Sequence, residues 1–427
     1  MFDITIVGLG YVGLPLMKRC LERGFRCAGI DIDQPRVEKL RKGEPVIHNI
    51  SVNTFPEAIH SGKLFLTTTF DVIEQSKAAI ICLPTPLTKQ QTPDLSYVEN
   101  SIHSIARHAK KGLLVVLEST TYPGTTDDIL QPVLEKALGT VGVDFFIGYS
   151  PEREDPGNPQ SNFDQVPKVI SGCTQECQKR VFEIYSKICK QVVPVSSCAA
   201  AEMTKVWENT FRAINISAVN ELKMICDRMN IDVWEVIDAA KTKPYGFTAF
   251  YPGPGMGGHC IPVDPFYLTW KAKEFDMHTR FIELAGEINF RMHQYVADKV
   301  AAALNDQCKS VKGSKILVIG ITYKANIDDM RESPAFPIIE KLQDKGATID
   351  YYDPYVPEIP KKRHFHELQG KRSVTLDATL VKSYDACVLL TLHSNLPYTM
   401  IAENAQCIVD ARNGMKGLNV KGKLYKA

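Results

Sequence analysis

Short apolar runs alternate with longer amphipathic stretches over the first 196 residues. The run ITIVGLG (4–10) leads into a helical pattern, YVGLPLMKRCLERG (11–24), and then into a second apolar run, RCAGIDID (26–33). Further apolar runs stand at 78–84, 113–120 and 144–152. Buried strands that alternate with helices are typical of a doubly wound parallel sheet.

The pattern changes in the middle of the chain and then returns. Long helical periodicity covers 199–230 and 280–304, and strand patterns follow at 315–324, 347–354, 384–393 and 406–412. Both halves end their second strand on an aspartate, Asp31 and Asp353, but the second half lacks the glycine spacing of the first. We predict an α/β protein with two Rossmann-like doubly wound domains joined by a helical central domain, with bounds 1–196, 197–300 and 301–427.

The composition is that of an ordinary globular protein. The 427 residues are 44% hydrophobic, and fifty basic against forty-nine acidic side chains leave a formal charge of +1, so no general field attracts nucleic acid or a membrane. No apolar run approaches the roughly 18 residues that span a bilayer, and the N-terminus shows no basic leader or cleavage site. We therefore expect a cytoplasmic protein with no nucleic-acid or membrane partner.

Twelve cysteines are scattered along the chain, too sparsely for a disulfide scaffold. Cys173 and Cys177 form a single C-x-x-x-C without a second pair or a nearby histidine cluster. A structural role is therefore favoured over a metal site, and no metal is predicted.

The motif GLGYVG supplies Gly8, Gly10 and Gly13 between a strand and a helix. This spacing permits a tight turn, a close approach of the backbone to a pyrophosphate and close helix packing. Asp31 ends the next strand, where a carboxylate binds an adenosine ribose hydroxyl and repels a 2′-phosphate. The sequence therefore predicts an NAD site, although glycines that merely turn the chain would look the same.

A cysteine lies in the loop GPGMGGHCIPVDP (253–265), which suits neither helix nor strand. A cysteine thiolate adds to an aldehyde and, after loss of hydride, becomes a thioester that water hydrolyses. Cys260 would need cationic or hydrogen-bonding help to ionise at neutral pH, and His259 and Lys205 are candidates for it. Together with Asp264, four residues on, it predicts a catalytic nucleophile beside a dinucleotide site.

Two further polar groups fit such a site. Lys205 and Asn209 are four residues apart in a helical pattern and hence on one face, where they could stabilise an oxyanion. An exposed polar face is the alternative. Glu152 follows a strand at the carboxyl edge of the predicted sheet, where ligands bind in open α/β folds, but a plain surface acid would have the same pattern.

Seven segments resemble one family in order along nearly the whole chain. They are GLGYVGLP, LPTP, EST.YPG, SPER..PG, AE..K..ENT.R..NI...NEL, GPGMGGHCIPVDP and G.TYK.....MRESPA. The chain is thereby similar to the nucleoside-diphosphate-sugar 6-dehydrogenases, which include UDP-glucose and GDP-mannose dehydrogenases. Val263, where UDP-glucose dehydrogenases usually have a lysine, makes the cysteine loop similar to the UDP-N-acetylhexosamine branch of the family. The segment YSPEREDPGN further resembles the UDP-N-acetyl-D-glucosamine 6-dehydrogenases.

The resemblance implies a role for each matching residue. Cys260 matches the nucleophile, Lys205 and Asn209 the oxyanion pair, and Glu152 the acid of thioester hydrolysis. Asp264 matches the carboxylate that, with Thr120 and a bound water, handles the substrate hydroxyl proton. Pro156 stands where several UDP-glucose enzymes carry a second glutamate, which leaves Glu152 as the only motif-matched acid for hydrolysis.

The resemblance also implies binding residues. Those expected at the cofactor are Gly8, Gly10, Tyr11, Val12, Gly13, Asp31, Arg36, Thr85, Thr120 and Arg331. Those expected at the substrate are Glu152, Arg153, Lys205, Asn209, Phe250, Tyr251, Gly255, Gly257, His259 and Lys324.

The implied reaction is a four-electron oxidation of C6 of a UDP-N-acetylhexosamine with two NAD, for polysaccharide or glycan precursor synthesis. UDP-N-acetyl-D-glucosamine is favoured, with UDP-N-acetylmannosamine or UDP-glucose as alternatives, and a homodimer or higher homo-oligomer is implied. A two-electron dehydrogenase of the 6-phosphogluconate or hydroxyacid type and a non-catalytic nucleotide-binding module stay open from the residues alone.

Overall fold

The computed structural model describes residues 1–47, 50–88, 90–153, 164–258, 260–360 and 365–427. The strands are β1 (Phe2–Val7), β2 (Cys27–Ile30), β3 (Leu64–Thr67), β4 (Ser76–Ile81), β5 (Leu114–Leu117), β6 (Phe146–Tyr149), β7 (Lys168–Ile170), β8 (Val192–Pro194), β9 (Lys315–Ile319), β10 (Thr348–Tyr352), β11 (Ala386–Leu389), β12 (Cys407–Asp410) and β13 (Lys423–Lys426). The helices are α1 (Gly13–Glu22), α2 (Gln34–Arg41), α3 (Phe55–His60), α4 (Ser96–His108), α5 (Gln131–Leu138), α6 (Gln175–Ile188), α7 (Cys198–Arg228), α8 (Val233–Ala240), α9 (Asp264–Ala272), α10 (Arg280–Asn305), α11 (Ala335–Asp344), α12 (Ala378–Lys382) and α13 (Tyr398–Asn404). Short 3₁₀ segments lie at Asp71–Gln75, Lys273–Phe275 and His366–Leu368, and a π-helical segment at Thr126–Leu130.

The first compact unit consists of Met1–Asn209 and Val263–His278. Its main sheet, within the described residues, has the order β3-β2-β1-β4-β5-β6 with all neighbours parallel. Alternate residues of each strand enter two separate apolar cores: Ile4 and Ile6 pack in one and Val7 in the other. Helices therefore cover both faces, which explains why the strands read as continuous apolar runs. The strand order reverses between β1 and β4, which is where ligands bind in such sheets.

The second compact unit consists of Thr210–Pro262 and Thr279–Ala427. Its described strands form a parallel sheet in the order β10-β9-β11-β12-β13. Ile316 and Val318 pack on one face and Leu317 and Ile319 on the other. The predicted fold class, two doubly wound parallel sheets with a helical region between them in the sequence, is confirmed.

The helical periodicity predicted in the middle of the chain corresponds to α7 and α10. The buried residues of α10 recur three or four positions apart, as at Ile282, Ala285 and Ile288, and so form one apolar face. The first twelve residues of α7 belong to the first unit and the rest to the second. The three domain bounds drawn from the sequence stay predictions. Among the described residues, no helix combines the length and apolar character needed to cross a membrane.

A buried ion pair joins the small β7–β8 sheet to the main sheet of the first unit. Lys168 Nζ lies 3.0 Å from Glu118 Oε2, and the two side chains are 7% and 2% exposed. The hydroxyl of Tyr185 donates a hydrogen bond to the same carboxylate. The carboxylate at the end of β5 is thus neutralised from β7 and hydrogen-bonded from α6.

Replacing Lys168 by methionine is expected to lower the free energy of unfolding by about 3–5 kcal/mol, because Glu118 would stay buried without its cation. Urea unfolding followed by circular dichroism measures the loss. The matched control is Lys77→Met, which removes a lysine that is 62% exposed and 2.8 Å from Asp3, and should cost no more than about 1 kcal/mol. Equal losses in the two variants would contradict the assigned role of the buried pair.

Candidate active site

In the GLGYVG turn between β1 and α1, main-chain segments pack closely beside an open space. Gly8 has φ +97°, and a methyl group placed there would lie 2.5 Å from a main-chain oxygen just after β4. A methyl group on Gly13 would overlap the Gly8 carbonyl, whereas one on Gly10 would meet no atom within 4 Å. Tyr11 and Val12 are half-buried and complete the turn. Two glycines therefore permit strand and helix to pack, and the third leaves open space before the N-terminus of α1.

Asp31 fixes the same turn from the end of β2. Its Oδ2 accepts hydrogen bonds from Leu9 N at 3.0 Å and from Arg36 Nη1 at 3.1 Å, and its Oδ1 accepts one from Asp33 N at 3.0 Å. The carboxylate is 8% exposed. Its position at the sheet edge suits an adenosine ribose, and the open glycine turn beside it suits a pyrophosphate, so the residues present fit NAD.

Two loops at the carboxyl edge of the first sheet and the helix α9 are joined by side-chain to main-chain hydrogen bonds. Thr85, after β4, is buried, and its hydroxyl donates to the carbonyl of Thr120, after β5, at 2.7 Å. The hydroxyl of Tyr267 on α9 donates in turn to the carbonyl of Thr85. The two predicted cofactor-side threonines therefore lie together and are held by α9.

At this edge the buried Lys205 pairs with the half-buried Glu152. Lys205 is 6% exposed on α7; its ammonium donates to the Glu152 carbonyl and lies 3.4 Å from Glu152 Oε2. The next residue, Arg153, pairs with Glu208 at 2.5 Å and donates to the Pro167 carbonyl at 2.7 Å. In this structure Arg153 therefore anchors the segment that carries Glu152, and its predicted contact with substrate stays a prediction.

Asn209 and Asp264 complete the cluster. Asn209 Nδ2 donates to Asp264 Oδ2 at 2.6 Å, and the two residues are 4% and 2% exposed. Burial raises the pKa of Asp264 to about 7, while the Lys205 charge and the Asn209 hydrogen bond lower it and the Glu152 charge raises it further. A carboxyl group that exchanges its proton near neutral pH is suited to general acid–base work.

The structure thus gathers Glu152, Lys205, Asn209 and Asp264 within the first unit. The burial of Lys205 and Asn209 excludes the alternative that they form an exposed polar face. One ammonium and one amide donor beside a titrating carboxyl group form an arrangement able to accept a proton and to stabilise an oxyanion. These roles stay predictions.

Glu202 belongs to the same helix but was not predicted. It is fully buried; its Oε1 accepts from Thr126 N at 2.9 Å and Thr126 Oγ1 at 2.7 Å, and its Oε2 from Gly124 N at 2.6 Å. Burial raises its pKa to about 7 against these hydrogen bonds. It therefore holds the TYPG turn from α7. The spacing of Glu202, Lys205 and Asn209, three and then four residues, places all three on one helical face and could have indicated it.

Cys260 lies in the second unit and is half-buried. The glycines just before it let the loop pack closely: a methyl group on Gly257 would lie 2.7 Å from both the Glu332 carbonyl oxygen and Tyr323 Cβ, and Gly258 N donates to the Arg331 carbonyl at 3.0 Å. The thiol is not sealed in a hydrophobic interior. His259, predicted beside it, lies outside the described residues.

The start of the same loop is held by polar side chains of α7 and α10. Asn220 Oδ1 accepts from Gly253 N at 2.9 Å, and Asn289 Oδ1 accepts from Met256 N. A methyl group on Gly255 would lie 2.6 Å from His293 Nε2, and burial lowers the pKa of His293 to about 4, so its imidazole is neutral at pH 7. Sequence reasoning missed Asn220, Asn289 and His293, because their helical pattern does not distinguish them from other polar residues.

Three residues of the second unit that were predicted to contact the substrate nucleotide, Phe250, Tyr251 and Lys324, each have a different neighbour in the structure. The Phe250 ring lies 6.0 Å from that of Phe211, and Tyr251, 40% exposed, donates to Asp238 at 2.8 Å. Lys324 follows β9, in a loop where its carbonyl accepts from Thr322 Oγ1 at 2.9 Å.

Two arginines of the second unit differ in burial. Arg331 is half-exposed and its guanidinium forms hydrogen bonds of 2.6–3.0 Å with Asp329, while its predicted place near the cofactor stays a prediction. Arg412, not predicted as a site residue, is the last residue of the strand pattern 406–412 and stands two positions after β12. Burial lowers its pKa to about 10, and a methyl group on Gly253 would overlap its guanidinium. A charged residue at the end of a buried strand is the signal that could have indicated it.

The sequence matches three domains that belong to one protein family. These are the NAD binding domain of the UDP-glucose/GDP-mannose dehydrogenase family over residues 2–189, its central domain over 199–291 and its UDP binding domain over 317–417.

Named relatives and a solved structure extend this similarity to nearly the whole chain. The UDP-N-acetyl-D-glucosamine 6-dehydrogenase of Pseudomonas aeruginosa is 38% identical over 94% of this chain and 92% of its own length. The UDP-N-acetyl-D-mannosamine dehydrogenase of Escherichia coli K12 is 35% identical over 96% and 98%. The structure of a UDP-D-ManNAc dehydrogenase from Pyrococcus horikoshii, 30% identical, covers 99% of this chain and 98% of its own with a TM-score of 0.89.

The glycine turn and Asp31 in the first unit, the buried Lys205, Asn209 and Asp264 cluster, and the agreement of all three domains lead to one conclusion. The chain belongs to the UDP-glucose/GDP-mannose dehydrogenase family and is an NAD-dependent nucleotide-sugar dehydrogenase.

Proposed function

We propose that this enzyme oxidises C6 of UDP-N-acetyl-D-glucosamine to the uronate through a covalent intermediate on Cys260. The observation that carries the proposal is the buried Asp264 carboxyl group, hydrogen-bonded by Asn209 and next to the Lys205 charge. A plain binding module has no need for a proton acceptor that titrates near pH 7 beside a buried cation. Asp264 stands four positions after Cys260, the nucleophile of the proposal.

The first oxidation requires a proton acceptor at the sugar hydroxyl. In the proposal Asp264 takes that proton through a water that Thr120 also holds, and Lys205 and Asn209 donate hydrogen bonds to the oxygen as negative charge develops on it. In other enzymes one such donor lowers the barrier by about 2.7–4 kcal/mol. NAD, when bound, accepts the hydride from C6 in each of two oxidations, so one alcohol, one water and two NAD⁺ give one carboxylate, two NADH and three protons.

The second oxidation passes through the thiol. The Cys260 thiolate adds to the aldehyde carbon, and the resulting alkoxide is stabilised by the same ammonium and amide donors. Loss of hydride leaves a thioester, and water assisted by Glu152 cleaves its C–S bond to release the carboxylate and the thiol. Because the aldehyde stays bonded to sulfur, no free aldehyde needs to leave the enzyme.

The acetamido sugar is supported by the names of the relatives, and its stereochemistry has two candidates. The Pseudomonas aeruginosa relative is named for UDP-N-acetyl-D-glucosamine, and those of Escherichia coli and Pyrococcus horikoshii for the manno epimer. We favour the gluco epimer because YSPEREDPGN resembles that branch and the Pseudomonas aeruginosa relative is 38% identical. UDP-N-acetyl-D-mannosamine is the second candidate.

Initial rates with NAD and UDP-N-acetyl-D-glucosamine, UDP-N-acetyl-D-mannosamine or UDP-glucose test the substrate. The highest kcat/KM is expected for UDP-N-acetyl-D-glucosamine, with two NADH formed per sugar consumed, as measured by absorbance and by chromatography of the product. A preference for the manno epimer would reject the gluco assignment alone. One NADH per sugar, with an aldehyde product, would reject the four-electron reaction.

Replacing Cys260 by serine is expected to lower uronate formation by at least about a thousandfold, because a hydroxyl is far less available as an anion near pH 7 than a thiol. Formation of a trapped aldehyde oxime in the presence of hydroxylamine, measured by mass spectrometry, reports whether the first oxidation survives. Cys308→Ser, which changes an exposed cysteine of the same unit, is the control and should keep normal activity. Uronate formation at the normal rate in Cys260→Ser would contradict the covalent mechanism.

The raised pKa of Asp264 predicts a specific pH dependence of stability. Since the folded pKa is about 7 and the ordinary value 3.8, the folded state holds its proton more tightly, and this stabilisation is lost as pH rises from about 4 through about 7. Between pH 5 and pH 8 the unfolding free energy of the wild type should therefore fall relative to Asp264→Asn by on the order of 2–3 kcal/mol. Glu202 titrates equally in both proteins and cancels in the comparison.

The raised pKa of Asp264 also predicts how the activity depends on pH. Wild-type kcat should rise with pH through an apparent pKa near 7, as the acceptor ionises, and Asp264→Asn should lose most of its activity. Asp344→Asn, which removes an exposed carboxylate from α11, is the matched control for both measurements. A stability difference that does not vary with pH would contradict the buried, protonated state of Asp264.

A further inference from the structure

A second cluster of reactive side chains lies in the first unit, at the start of α7. Cys198 is the first residue of this helix, Cys173 follows β7, and Asp127 lies in the π-helical segment after β5. The two sulfurs are 3.6 Å apart, and Cys173 Sγ lies 3.0 Å from Asp127 Oδ1. The three ligand atoms all lie within 4.8 Å of one another. None of these residues takes part in the proposed oxidation.

The cysteine that lies next to Cys173 in the structure is not its nearest cysteine in the sequence. The C-x-x-x-C spacing brings Cys173 and Cys177 together in sequence, but Cys177 is fully buried and its sulfur accepts from Ile147 N at 3.4 Å. The sulfur next to Cys173 is that of Cys198, which is 25 residues away and belongs to another element. The spacing of the cysteines in the sequence could not show this contact, because the fold of the first unit brings Cys173 and Cys198 together.

The geometry matches the ligand set of a soft divalent cation. Two sulfurs at Zn–S distances of about 2.3 Å in a tetrahedral site are about 3.8 Å apart, close to the 3.6 Å seen between Cys173 and Cys198. Zinc also accepts an aspartate oxygen as a ligand. A disulfide needs only the two sulfurs and gains nothing from a carboxylate 3.0 Å from one of them. The presence of Asp127 therefore favours a cation over an oxidised pair.

Burial and charge agree with this assignment. Cys198 is 1% exposed, whereas Cys173 and Asp127 are half-buried, so one side of the cluster is open for entry and for a water ligand. The Asp127 carboxylate beside Cys173 Sγ supplies negative charge that a bound cation would balance.

We propose that Asp127, Cys173 and Cys198 bind one zinc-class divalent cation, with water as the fourth ligand. Binding replaces the two thiol protons by the cation, so two protons are released and affinity rises with pH. The cation connects the start of α7 to the segment after β5 and to the loop after β7. Since Glu202, Lys205 and Asn209 lie further along α7, the expected effect is stabilisation of the elements that position them. This inference does not depend on the identity of the sugar.

Cobalt(II) titration of the reduced, full-length Cys260→Ser enzyme tests the site, because thiolate ligation gives a sulfur-to-cobalt charge-transfer band and tetrahedral cobalt gives intense visible bands. We expect one cobalt per chain, displaced by zinc, and an increase of the melting temperature with zinc. In the same background Cys173→Ser and Asp127→Asn should each lower the affinity for cobalt at least tenfold. Both residues are half-buried, and circular dichroism checks that the variants fold.

Cys308→Ser in the same background is the matched control and should leave the titration unchanged. Absence of a charge-transfer band in the parent, or an unchanged affinity for cobalt in Cys173→Ser, would overturn the proposal. It would also be overturned if the reduced protein bound no cobalt and mass spectrometry showed a Cys173–Cys198 disulfide after exposure to air.

Discussion

The proposed chemistry of this enzyme depends on keeping one carboxyl group, that of Asp264, out of water. Asp264 begins α9, and its burial is tolerated because the Asn209 amide donates to it and the Lys205 charge lies near. Burial and these two partners act on the pKa in opposite directions, and burial is the larger influence, which leaves the group near neutrality. The same burial would strengthen the proposed donors of α7, because hydrogen bonds to a developing charge are stronger where water is excluded.

To bury Asp264 with its partners, the long helix α7 and the short helix α9 meet at the edge of the first sheet. Lys205 and Asn209 are one helical turn apart on α7, so a single straight element fixes their spacing. Glu202, a further turn back, holds the neighbouring turn through main-chain and side-chain hydrogen bonds. One face of α7 thus supplies both the proposed donors and the group that secures the loop beside them.

Local patterns in the sequence predicted those elements that depend only on neighbouring residues. Apolar runs identified the central strands of both sheets, and the glycine spacing with Asp31 identified the dinucleotide turn. The short strands β3 and β13 were missed, because KLFLTT and GKLYK mix apolar with polar residues and lie at the edges of their sheets. Contacts between distant segments, such as that of Asp127 with Cys173 or the pairing of Lys168 with Glu118, have no local signature and needed the three-dimensional structure.

The hydrogen bonds that join the loops after β4 and β5 to α9 have an evolutionary consequence. Thr85 and Tyr267 donate to carbonyl oxygens of the main chain, and every residue type presents such an oxygen. Mutations at the accepting positions can therefore accumulate without breaking these bonds, as long as the backbone path is kept. The frame around the reaction can persist while the side chains that choose the sugar diverge, which is one way for a single scaffold to give rise to enzymes with different sugar preferences.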